Sequence, residues 1–186
     1  MVKLTKNTGG FTLIEICIVV TIAIIMTAIA TPMILSWVPG AKLRGAAQEF
    51  YADMQRAKIT AIKQNEDITF SFTPVGVSAD GTCSGGSYSF TDSGGNVIAS
   101  QNFANSVFCL AAVSDSNLSP PVPATPPVAD FTGGEGFTSR GLPTTSPPAP
   151  PLPPTKGIAL TDNSSRSPAV FIVTQSIAGG VILERY

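Results

Sequence analysis

The chain has no histidine in 186 residues. That absence removes the commonest general base, the commonest metal ligand and every Ser-His or Cys-His nucleophile pair. Charge is scarce too, at 12% of residues. The acids are scattered through Gly- and Ser-rich sequence without the paired spacing that carboxylate catalysis uses. There is no Gly-rich phosphate loop followed by Lys and Ser or Thr. We therefore expect no enzymatic activity, no metal and no cofactor. From Asp67 onward only four basic residues (Arg140, Lys156, Arg166, Arg185) stand against eight acidic ones, a net charge of −4. Without a Lys/Arg cluster, that region lacks the footprint of a nucleic-acid binder, and weak or no DNA binding is expected of it. The length suits one compact domain with an appendage.

What the sequence does have is a long apolar run. From Ile16 to Leu35 there are 20 residues without a charge, about the length of a membrane-spanning helix. Lys3 and Lys6 precede it with no acid beside them, which predicts a cytoplasmic amino terminus. A secretory signal peptide would have a shorter apolar stretch followed by a small-residue cleavage site. Here the small residues, Gly9 and Gly10, come first. One residue does not fit a plain anchor. Glu15 lies at the head of the run, and a charge at the centre of a span costs about 2.5–3.5 kcal/mol, so such residues are usually paired or functional. Trp37, the single tryptophan, sits where an amphipathic ring favours the headgroup level. Pro39-Gly40 is expected to interrupt or kink the helix.

The stretch "GGFTLIEICIVV" resembles the class III leader of type IV pilins and type II secretion pseudopilins. The resemblance implies a leader peptide over residues 1–10, cut by a prepilin peptidase between Gly10 and Phe11, with N-methylation on Phe11. It places the family's glutamate on Glu15, the fifth mature residue, and a common helix-loosening proline on Pro32. Residues 11–36 become a transmembrane helix. The implied setting is the bacterial inner membrane, single-pass with an exported carboxy-terminal domain, and then a periplasmic pseudopilus or surface pilus. Its implied partners are the peptidase, membrane lipid and other pilin subunits in a helical filament. There Glu15 is expected to be the assembly residue, pairing with a neighbour's Phe11 amine so that two desolvated charges offset each other.

Residues 37–66 read as an amphipathic continuation of the helix. Leu43, Ala47, Phe50, Met54, Ala57 and Ala61 recur at alternating spacings of four and three, one helical face that should lie against a β-domain. "YADMQRAKITAIKQNEDITFSF" is similar to the GspH/FimT group of minor pseudopilins and pilins, as is the order of the segments after it. Over 67–186, Ile68, Phe70 and Phe72 alternate with polar residues, "SYSFTD" and "NVIAS" flank a Gly turn, and "SVFCLAAV" is a buried-strand pattern. "AVFIVT" and "GGVILERY" form a closing hairpin. The fold class expected is α+β: a long amino-terminal transmembrane and amphipathic helical spine packed on a small antiparallel sheet or sandwich.

Between residues 118 and 154 lie 12 of the 16 prolines, read as a stiff polyproline excursion over the surface. "DFTGGEGFTSRGLP" interrupts them, with Phe131 and Phe137 available to tack the loop down and Arg140 read as an ordinary surface residue. "FTSRGLP" resembles a strand-and-turn segment of the same group. Cys83 and Cys109 lie on the exported side, where a disulfide between them is expected to persist, while Cys17 in the span has no partner nearby. The function these features imply is structural, as a minor pilin or pseudopilin. A DNA-receptor minor pilin and a non-polymerising anchored binding module are the alternatives.

Overall fold

The computed structural model describes residues 10–79, 83–104, 108–114, 118, 128–131, 135–144, 155–162, 170–176 and 179–185. The fold is α+β. Among the described residues, one helix, α1 (Leu13–Gln64), is followed by nine strands: β1 (Ile68–Thr73), β2 (Ser87–Thr91), β3 (Val97–Asn102), β4 (Phe108–Ala111), β5 (Val128–Asp130), β6 (Gly136–Phe137), β7 (Thr155–Asp162), β8 (Val170–Ser176) and β9 (Val181–Arg185). The chain divides into two units, Met1–Val38 and Pro39–Tyr186.

In the first unit, the 19 residues Leu13–Thr31 are long and apolar enough to cross a membrane, and none of them is buried. The expected interruption at Pro39-Gly40 does not occur, because α1 is helical through both residues. A proline forfeits one donor, and the residues that follow, Ala41 to Glu49, are mostly strong helix formers that carry the hydrogen bonding onward. The helix ends at Asn65, which takes a left-handed φ of 54°. The Glu66 N–H then donates to the Ala61 carbonyl at 3.2 Å, the 6→1 bond of a Schellman cap.

The second unit is built on the amphipathic stripe. Leu43, Ala47, Phe50, Met54, Ala57 and Ala61 are all fully buried. They share one core with Phe70, Phe90 and Phe137 of the first sheet and with Leu110, Leu160 and Val173 of the second. Phe50 anchors this core, its ring 4.7 Å from Tyr88 and 6.1 Å from Phe90.

The first sheet has the order β3-β2-β1-β6, every pair antiparallel. Its β2–β3 hairpin turns at Ser93-Gly94-Gly95 as expected, with Gly95 at a φ of +82°. The second sheet has the order β4-β7-β8-β9. Its closing hairpin β8–β9 pairs Phe171 with Arg185 through Gln175 with Val181. β5 runs parallel to the first three residues of β7, while β4 takes the remainder of the same edge. One pairing in this sheet is therefore parallel.

Two further features depart from the expectations drawn from the sequence. The central strand β7 was not anticipated, although its Gly157–Thr161 stretch is buried throughout; a short apolar run without alternation carries a weak strand signal. The range 118–154 is also more than a surface excursion. β5 joins one sheet and β6 the other, and Phe131 and Phe137 are buried in the shared core. A Cβ on Gly136 would overlap the Ile68 carbonyl, so only glycine fits there. The proline tracts themselves, 119–127 and 146–154, lie outside the described residues.

Candidate functional site

The candidate site is the first turn of α1. Thr12 precedes the helix, and its hydroxyl accepts the Glu15 N–H at 3.3 Å. Its carbonyl takes the N–H groups of Glu15 and Ile16 at 3.1 and 3.3 Å. Thr12 is thus the N-cap and Glu15 the third helical residue, the Thr-x-x-Glu arrangement of a capping box. Thr-x-x-Glu ahead of an apolar run is itself a sequence signal for a helix start. It gives Glu15 a local reason to sit where it does, since a carboxylate in the first turn also complements the helix dipole. The local reason is incomplete. The Glu15 side chain is exposed, and among the described residues its carboxylate accepts no hydrogen bond and forms no ion pair. Gly10 and Phe11 stand just ahead of the cap, both exposed. Lys3 and Lys6 lie outside the described residues.

The rest of this unit is suited to an apolar solvent. Thr21, Thr27 and Thr31 each turn their hydroxyl back to the carbonyl four residues earlier, at 2.7–2.9 Å. These three hydroxyls are thereby bonded, which is the condition for placing threonine in hydrocarbon. Glu15 is the only formally charged side chain from Gly10 to Thr31. Cys17 is a free, exposed thiol.

The second unit holds its polar groups in defined pairs. Cys83 and Cys109 are joined by a disulfide with Cα atoms 5.7 Å apart, in a second small core with Val77, Ala159 and Ile172. It ties the chain before β2 to β4. Tyr88 donates its hydroxyl to Asp53 at 2.8 Å; burial first, and then the neighbouring carboxylate, push that hydroxyl well above the ordinary tyrosine range. Gln101 likewise donates to Glu49 at 2.7 Å, a second link from the first sheet to the helix. Lys58 donates to the Gly179 carbonyl at 2.7 Å.

Two turns meet there. A Cβ on Gly179 would overlap the Gly141 carbonyl, and one on Gly141 would come within 2.7 Å of Ile62 Cδ1. "FTSRGLP" and the glycines of the closing hairpin, noticed separately in sequence, are therefore neighbours at the end of α1. Arg140 itself points to solvent. Glu135, only 2% exposed, pairs with Lys156 while its carbonyl accepts from Phe70, joining the two sheets. No sequence pattern marked that pair. Among the described residues, no three His, Cys, Asp or Glu side chains come together as a metal site would require.

No protein-family model matches the chain, and no curated protein or solved structure does either.

Proposed function

We propose that the chain is a pilin-like filament subunit, a minor pilin or pseudopilin anchored by the first half of α1 and carrying an exported β-domain. The observation that supports it most is Glu15: one carboxylate, exposed and without a described partner, at the head of a span that otherwise bonds its own polar groups. On this reading the leader is removed after Gly10, and the new Phe11 amine carries a positive charge one helical turn from Glu15. In a filament, an axial stagger sets one subunit's Phe11 beside another's Glu15. Opposite charges that have both left water offset their desolvation only by pairing, and the pairing fixes the register between subunits.

The leader is tested by the mass of the chain extracted from the membranes of its own cells. The expected species begins at Phe11 and carries one methyl group on its amine. A chain that keeps Met1, or one cut on the carboxy-terminal side of the apolar run, would remove the basis of the proposal. The genes beside this one would separate the two systems, secretion-channel genes marking a pseudopilus and retraction genes a pilus.

A further inference from the structure

We propose that the carboxy-terminal end of α1, with the turn packed on it, is a docking surface for a different protein that presents acidic side chains around an apolar centre. The proposal does not depend on polymerisation. Its apolar centre is Ile59 and Ile62, each 50% exposed, with Leu142, 46% exposed. The turn that carries Leu142 is built against the helix. The Thr138 N–H donates to the Leu142 carbonyl at 2.7 Å, the Gly141 N–H donates to the Thr138 carbonyl at 2.7 Å, and Gly141 lies against Ile62. The Ser139 N–H donates to Asp67 at 2.8 Å, fixing the turn to the chain just beyond the helix. Around the apolar centre stand Arg56, Lys63 and Arg140, all exposed. Arg56, Ile59 and Lys63 follow one another at spacings of three and four, so they lie along one helical face.

The charges select the occupant. Among the described residues, Arg56, Lys63 and Arg140 make no ion pair or hydrogen bond. Six carboxylates of the same unit each accept a hydrogen bond. Glu49 accepts from Gln101, Asp53 from Tyr88, Glu66 from Ser93, Asp67 from Ser139, Asp92 from Asn96 and Glu135 from Lys156. An acidic partner of another sequence complements these three cations. Cations rimming an apolar centre give such a contact its orientation and its discrimination against basic partners. A duplex is the poorer fit, because three cations around aliphatic side chains leave no stacking ring and few phosphate contacts.

The test uses the full chain in its own cells, with a benzoylphenylalanine photo-crosslinker replacing Ile59 or, separately, Leu142. The expected product is a cross-link to another protein, mapped to a segment in which Asp and Glu outnumber Lys and Arg. Arg56→Glu, Lys63→Glu and Arg140→Glu together should lower its yield by about ten-fold or more. Arg56→Lys, Lys63→Arg and Arg140→Lys should retain it, and retention of the Cys83–Cys109 bridge in both triple variants reports that the unit is folded. A cross-link to a second copy, to lipid or to nucleic acid would overturn the proposal. So would a yield that charge reversal leaves unchanged, or no cross-link at either position.

Discussion

The two halves of α1 use the same kinds of residue to opposite ends. Before Thr31, Ile16, Ile18, Val19, Val20 and Ile22 are each at least half exposed, and apolar side chains cover every side of the helix. After Pro39, Leu43, Phe50 and Met54 are wholly buried and most of the exposed positions are polar or charged, Ile59 and Ile62 excepted. Burying one such side chain is worth roughly 1.5–3 kcal/mol. The uncovered half is long and apolar enough to cross a membrane, while the striped half lines a protein core. The contrast extends to polar groups. Threonines in the first half bond their own backbone, whereas polar side chains in the second reach across to the sheets.

The strongest way to sharpen the comparison is to make one kind of change in both halves. Phe50→Ala removes the centre of the aromatic core and should cost about 3–5 kcal/mol of stability. Ile22→Ala removes a side chain that touches no core and should leave unfolding of the second unit within about 0.5 kcal/mol of wild type. Urea unfolding of the full chain in micelles, followed by near-ultraviolet circular dichroism, measures both. Equal losses would erase the distinction between the halves.

The second difference is covalent. Among the described residues the cross-link lies in the second unit, and replacing both Cys83 and Cys109 with alanine should cost about 3 kcal/mol in the chain-entropy picture. Peptide mapping without reductant should recover the Cys83–Cys109 pair with Cys17 as a free thiol. Free thiols at both Cys83 and Cys109 would refute the bridge.

A smaller effect comes from Tyr88. Its hydroxyl is held above the ordinary tyrosine range in the folded chain by burial and by Asp53. The folded state therefore binds that proton more tightly than the unfolded chain does. The contribution is complete below the unfolded value of about 10 and is lost progressively as pH rises beyond it. Stability should fall on the alkaline side, and Tyr88→Phe should flatten that limb. The smallest effect is at Asp92, where hydrogen bonds from Asn96 hold the carboxyl below its ordinary value. This contribution is present above the unfolded value and is lost as pH falls through the folded one. Asn96→Ala should remove only a slight acid-side slope in the same unfolding series.

Much of this architecture was legible because it is periodic. The buried helical stripe, the β1 alternation and both hairpins follow from spacings of three to four and of two, which survive in a single sequence. What was missed depends on contacts distant along the chain. β7 is buried on both faces and shows no alternation, and Gly136 is fixed by the Ile68 carbonyl far earlier in the chain. Glu135 and Lys156 are individually unremarkable until two sheets bring them together. At the candidate site the position of Glu15 was plain as a charge among apolar residues. Its Thr12 cap was equally readable but went unused, because a leader motif had already accounted for the threonine.

The central claim is that Glu15 serves assembly, beyond completing a capped helix start. It is tested most directly by Glu15→Val in the full chain, made in cells that supply the other subunits, with the variant followed into membranes and into pelleted filaments. The account predicts normal membrane insertion, an intact Cys83–Cys109 bridge, and little or no variant in the filament fraction. Glu15→Val recovered in filaments at the wild-type level would contradict it.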